Sequence, residues 1–352
     1  MMKKIVYNKI ILIYLLIFIV ISLITINSSM YVIGHNDNVT KQALWYGIGI
    51  IIIFLIQFTN NDKIYKHSKV FYIISNILLI VVLLFGKCIN NSKCWISILG
   101  FTFQPSEFMK ISLIILLSEL LSKPFKNHII FKIGIIFLIP SILTFLEPDT
   151  GAVITYFIIT ITMLFISNIK MRHFIILGII LLILASTFLY LYKYHHNYII
   201  NTFGSSIFLR IDRILDWKNQ SGFQLDNGFT SIASAGLTGH GINNTPAYFP
   251  EANNDFIFAV YSSNLGFIGS IILILLFISF DVILLKIETN KRDKLLISGF
   301  VGMIFYQQFQ NVSMTLGLLP ITGITLPFIS YGGSSILSYM IIIGMIINSK
   351  KQ

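Results

Sequence analysis

Apolar residues in this chain fall in long, nearly unbroken runs. Ten of them centre on residues 10–27, 43–58, 70–85, 107–121, 129–147, 151–167, 173–192, 255–280, 295–316 and 330–348. A helix needs about 17 to 25 such residues to cross roughly 30 Å of hydrocarbon, and these runs are of that order, some of them short or interrupted. Alternation of period two, the mark of a membrane barrel, is absent, and hydrocarbon satisfies no open strand edge, so the runs predict helices. The expected fold is all-α: a polytopic integral membrane protein of about ten transmembrane helices, one domain over residues 1–352. The opening MMKKIVYNKI has no small-residue cleavage site after Ile26 and predicts an uncleaved first helix.

Composition agrees with the pattern. Of 352 residues, 55% are hydrophobic and only 11% charged, with mean hydropathy +0.82, which excludes an ordinary soluble domain. The formal charge of +11 comes from 25 Lys+Arg against 14 Asp+Glu, and its meaning lies in its placement. Sixteen of the basic residues fall on the side shared by both termini, including Lys3, Lys63, Lys123, Lys170, Arg292 and Lys350. Seven fall on the other side, among them Lys41, Arg210 and Arg213. The positive-inside rule then places both termini in the cytoplasm, and the excess charge reads as topology, not as a nucleic-acid surface. Cys88 and Cys94 lie close together on the outer side, where a disulfide is permitted but no framework is implied.

Most connections are short, so residues 193–254 stand out as a large extracytoplasmic loop between the seventh and eighth runs. It carries Arg210, Asp212, Arg213 and the glycine-punctuated GFTSIASAGLTGHG, 228–241. A second outer loop, LPITGITLPFISYGGSS (319–335), breaks the apolar pattern with two prolines and three glycines. Both point to the outer face as the working side. No internal repeat with a clear period is visible.

Soluble-enzyme motifs are missing: there is no phosphate loop, HExxH or GxSxG, and the histidines do not cluster. What remains is a few ionisable groups at the edge of apolar runs, where charge is costly. In QPSEFMK, Glu107 and Lys110 stand three apart on one helix face, either capping a helix start or building a site. In EPDTG, Asp149 suits a helix start after Pro148. Asp255, between PEANN and FIFAV, is either an anion at a helix N-terminus or a reactive group; Arg210 and Arg213 on the same side and the glycines of SSNLGFIG count against the first reading, and residue physics alone leaves both open.

QPSEFMK, the FQ..NGFTSIASAGLTGHG run, PEANNDFIFAV with NLGFIG, and NVSMTLGLLPITGITLPFISYGGSS occur in this order. Together they resemble the SEDS family (shape, elongation, division and sporulation), over essentially the whole chain after about Trp45. The resemblance implies a peptidoglycan glycosyltransferase that polymerises the undecaprenyl-linked disaccharide lipid II outside the cytoplasmic membrane, working with a class B penicillin-binding transpeptidase. The family's essential aspartate matches Asp255, its QPSE glutamate and following lysine match Glu107 and Lys110, its loop arginine matches Arg210, and its tryptophan before the fourth span matches Trp95. Gln104 and Ser106 of the same motif are expected at the substrate site. Ser330, Gly332, Gly333 and Ser334 of the last loop either approach a diphosphate or serve tight helix packing.

In this reading Asp255 accepts the proton of the acceptor's 4-hydroxyl. Lys110 and Arg210, with a divalent cation such as magnesium or manganese as a further offset, balance charge on the departing diphosphate while Glu107 holds Lys110. The rivals are a lipid-precursor flippase or transporter, and a scaffold that only recruits a transpeptidase. The chain departs from the family pattern at Ser263 and Asn264, where two glutamates are usual, at Cys94 before Trp95, at Thr325, and in a compressed segment between Gly241 and Pro250.

Overall fold

The computed structural model describes residues 2–34, 37–89, 92–98, 101–124, 128–167, 169–194 and 222–349. Every predicted apolar run is helical there: α1 (Met2–Ile33), α2 (Asn38–Gln57), α4 (Ser68–Phe85), α5 (Pro105–Leu121), α6 (His128–Leu146), α7 (Thr150–Ile166), α8 (Met171–Tyr194), α10 (Ile257–Leu285), α11 (Lys291–Thr315) and α12 (Gly333–Ile347). Short helices α3 (Asn61–Lys66) and α9 (Phe223–Ser234) complete the set among the described residues. Among the described residues five segments are long and apolar enough by themselves to cross a membrane: Val6–Ile33, Asn38–Gln57, Ser68–Phe85, Ile129–Leu146 and Ile257–Leu285. Large side chains such as Phe54, Phe85 and Phe131 are exposed, as expected where lipid is the solvent. The chain is a multi-pass membrane protein.

The all-α, multi-pass expectation holds, and one small element lies outside the apolar runs. Between α4 and α5 lies a three-stranded antiparallel sheet, β1 (Lys87–Ile89), β2 (Ser92–Ile98) and β3 (Phe101–Phe103), in the order β1-β2-β3. Ile96 pairs with Phe103, Ser97 with Thr102 and Ile98 with Phe101. Strands of three and seven residues are far shorter than a membrane-crossing run.

α5 is buried along almost its entire length and forms the centre of the bundle, with α4, α7, α11 and α12 against it. The last connection enters the bundle. α11 closes on Gly317 at φ 70°, with Leu318 N–H donating to Ser313 O (2.9 Å) and Gly317 N–H to Met314 O (3.1 Å), the paired bonds of a glycine C-cap. The chain then turns inward, burying Phe328 and Ile329. Ser22 donates to Ile329 O (2.8 Å) and Gln42 to Ser330 O (3.1 Å), while the Tyr46 hydroxyl donates to Phe328 O. Backbone groups freed from helix are thereby paired inside the protein, the condition for irregular chain at membrane depth.

The motifs GLTGHG and NLGFIG explain each other. α10 is broken at Gly266 (φ 66°, ψ −163°). The Phe267 and Ile268 N–H groups leave the helical ladder and donate to Gly236 O (3.0 Å) and Leu237 O (3.1 Å). The vacated Ser263 and Asn264 carbonyls accept from His240 N–H (2.9 Å) and Gly241 N–H (3.1 Å). The outer loop is thus spliced into the helix. A Cβ at Gly266 would lie 2.4 Å from Gly239 N and 2.6 Å from Leu237 C, on a backbone conformation that an L side chain already disfavours. Gly266→Ala should lower stability by about 3 kcal/mol or more, measured as a fall in melting temperature of the purified protein; an unchanged melting temperature would contradict the splice.

Candidate functional site

The α10 start, the α7 start, the α12 start, α5 and the β-sheet converge on one cavity of about 460 Å³. Asp255, Glu107, Lys110, Trp95, Gln104, Gly332, Gly333 and Ser334 all line it. Residues almost a whole chain apart in sequence are brought together because the last loop folds inward against α2 and the turn before α10. Tyr331 N–H donates to Asn253 O (2.9 Å) and the Ser330 hydroxyl to Asn254 O (2.7 Å).

Asp255 sits in that turn, one residue ahead of Phe256, the N-cap of α10. Its backbone carbonyl accepts from Asn311 Nδ2 of α11 (2.8 Å), and an added Cβ at Gly323 would lie 3.6 Å from its Oδ2. The carboxyl keeps a small face toward the cavity while protein surrounds the rest. This burial, with the negative charges of Glu251 and Asp149, pushes it up to about 7. A carboxylate so placed takes and gives a proton near neutral pH, as general base chemistry requires.

On α5, Pro105 opens the helix and Glu107 lies in its first turn. Lys110 Nζ donates to Glu107 Oε1 at 2.6 Å, with both side chains nearly buried, as the three-residue spacing predicts. Gln104 and Ser106 converge on Asp149, expected only as the start of a helix. Asp149 Oδ2 accepts from Gln104 Nε2 (3.0 Å) and Ser106 Oγ (2.9 Å) while Oδ1 accepts from Ala152 N–H (3.0 Å). Asp149 caps α7 as expected and also faces the cavity. That second role depends on contacts across the bundle and has no local signal.

Two of the expected substrate residues lie off the cavity wall. Ser330 is buried, donating to Asn254 O and accepting from Leu326 N–H (2.8 Å); its hydroxyl is spent on the fold. Ser106 is likewise buried behind Asp149. Gly333 serves both readings of the last loop: a Cβ there would lie 2.3 Å from Trp45, so it is a packing contact, yet it lines the cavity. Arg210, with Arg213, falls outside the described residues, as does the Cys88 side chain. Cys94 Sγ donates to Glu147 O (3.1 Å), tying β2 to the α6–α7 turn beside Trp95, which lines the cavity. Among the described residues no group of three or more His, Cys, Asp or Glu side chains is spaced to hold a metal ion, so the acidic residues of the cavity do not by themselves fit the divalent cation that the resemblance allows.

Glu147 is fully buried behind the cavity and neither carboxyl oxygen has a hydrogen-bond partner among the described residues. Burial, then the Asp149 charge, push it up to about 8 from its ordinary 4.5. The folded state therefore binds this proton more tightly than the unfolded chain, and stability falls as pH rises between the two values. Glu147→Gln, which keeps the shape without the charge, should gain ~2–4 kcal/mol at mildly alkaline pH, read from melting temperature against pH. A gain that is the same at acid and alkaline pH would contradict a buried neutral acid.

The departures at Ser263 and Asn264 do not line the cavity. Their carbonyls receive the outer loop, and Asn264 Nδ2 donates to Ser28 Oγ at 2.6 Å. They belong to the splice. Thr325, by contrast, is in the cavity wall.

Comparison with known proteins agrees with this architecture. The FtsW/RodA/SpoVE family, described as cell cycle protein, matches residues 3–352. Stage V sporulation protein E of Bacillus subtilis is 34% identical over 331 residues, 88% of this chain and 85% of that protein. The probable peptidoglycan glycosyltransferase FtsW of Wigglesworthia glossinidia brevipalpis is 32% identical, covering 99% of this chain and 95% of its own. A chain in a solved peptidoglycan synthase complex, described as coordinating polymerization and crosslinking, shares the fold with a TM-score of 0.78 at 24% identity, over 96% of this chain and 95% of that one. The chain belongs to the FtsW/RodA/SpoVE family, the SEDS proteins that its motifs resemble.

Proposed function

We propose that this chain is a peptidoglycan glycosyltransferase that polymerises lipid II into glycan strands at the outer face of the cytoplasmic membrane, with both termini in the cytoplasm. The observation that carries the reading is the placement of Asp255: a carboxylate of near-neutral proton affinity, on the wall of a cavity shared with a buried Glu107–Lys110 pair. Names of relatives in the same family point to the same activity.

The chemistry follows from the groups present. The acceptor's 4-hydroxyl oxygen forms a bond to the donor's anomeric carbon, and its proton passes to Asp255. The bond from that carbon to the diphosphate oxygen breaks, and the electron pair leaves with the diphosphate, which gains one negative charge. Lys110, held by Glu107, and Arg210 offset that charge; Gly332, Gly333 and Ser334 offer backbone and hydroxyl groups at close range. Gln104 orients Asp149, and Trp95 at the rim offers an apolar face to a sugar ring. A class B penicillin-binding transpeptidase is the proposed partner that crosslinks the product.

The test is labelled lipid II incubated with the purified chain, alone, with a class B transpeptidase, and with chelator. Glycan strands are expected, resolved as a ladder on a gel. Headgroup translocation in vesicles without polymer under every condition would overturn the reading in favour of transport.

A further inference from the structure

We infer that Lys41, on the first turns of α2, is a substrate-binding residue that contacts the donor's diphosphate. The inference rests on the glycosyltransferase reading and assigns its electrostatics to a residue outside every recognised motif.

Charge accounting within the cavity leads to Lys41. The wall carries four carboxylates, Glu107, Asp149, Glu251 and Asp255, but only two basic side chains among the described residues, Lys41 and Lys110. Lys110 is occupied by Glu107 at 2.6 Å in a nearly buried pair. No ion pair to Lys41 exists among the described residues. An anion entering this acid-rich cavity meets net repulsion except where a cation stands unneutralised, and among the described residues Lys41 is such a cation.

Its setting is built. The neighbouring Gln42 is fully buried; its Nε2 donates to Ser330 O (3.1 Å) and its Oε1 accepts from Gly332 N–H (3.2 Å). One turn further on, Trp45 packs on Gly333. These contacts fix the α2 edge that bears Lys41 against the start of α12, where Gly332, Gly333, Ser334 and Ser335 line the same cavity. A helix start favours anions as well, so Lys41 and α12 reinforce one another. Asp255 lies across the inward loop, in the turn that Ser330 and Tyr331 grip. The arrangement gives the cavity a polarity, with proton transfer at Asp255 and Lys41 joining Lys110 and Arg210 around the leaving diphosphate.

The experiment measures inhibition of lipid II polymerisation by undecaprenyl diphosphate, with undecaprenol as the uncharged control, in wild type, Lys41→Met, Lys41→Gln and Lys41→Arg, each checked for an unchanged melting temperature. Loss of a charge-assisted contact should weaken undecaprenyl diphosphate by about tenfold or more in the Met and Gln variants, leave undecaprenol unchanged, and be largely restored in the Arg variant. Wild-type inhibition in both neutral variants would overturn the role of Lys41 and leave the glycosyltransferase reading standing. The glycosyltransferase reading itself would fail by a separate result, wild-type polymerisation by Asp255→Asn.

Discussion

Replacing Asp255 by Asn should reduce glycan polymerisation by about a thousandfold, within the range that a positioned general base contributes, while leaving the protein folded. The amide keeps the shape and the place in the turn before α10, and the backbone carbonyl that Asn311 holds is untouched. The ionised carboxylate is costly there, since its folded proton affinity is raised to about 7 from an ordinary 3.8. Stability that this group contributes is present below the ordinary value and lost as pH climbs toward the folded one, so removing the charge does not weaken the fold at neutral pH. An inactive variant with an unchanged or higher melting temperature is the expected pair of results.

The second large effect concerns the pair on α5. Lys110→Met leaves Glu107 charged and buried, with Oε2 already lacking a partner. Breaking a buried pair on one side costs about 3–5 kcal/mol, enough to unfold a marginal protein. The double replacement Glu107→Gln with Lys110→Met removes both charges together and should recover most of that loss while remaining inactive, because the cavity has lost its Lys110 cation. Thermal melts of the two single variants and the double variant give the coupling directly. Equal losses that simply add would contradict a coupled pair.

Much of the architecture is legible in the chain because the membrane imposes a single length scale: an apolar run near that length becomes a helix, and all ten did. The β1–β3 sheet was not legible, since strands of three to seven residues carry no run of that kind and their pairing is set by what they cover. In the site, the Glu107–Lys110 contact follows from spacing along one helix, and the importance of Asp255 from its motif. Asp149, Glu251 and Lys41 share the cavity only because the last loop folds inward, and no local pattern announces a contact between α2 and α12. For the same reason Ser330 looks like a ligand group in sequence and is a fold contact in three dimensions. The departures at Ser263 and Asn264 stand close to Asp255 in sequence, but they serve the splice between the outer loop and α10.

Proton uptake by Asp255 is the central step of the proposed reaction. Its most direct test is the pH dependence of lipid II polymerisation by the wild-type protein under single-turnover conditions. The rate should rise about tenfold per unit through the acid range, as the ionised fraction of the base rises, and level off above about 7, where this carboxyl is ionised. A rate that stays level well below neutrality would show that no group of that affinity gives up its proton before the reaction, and would contradict the assignment.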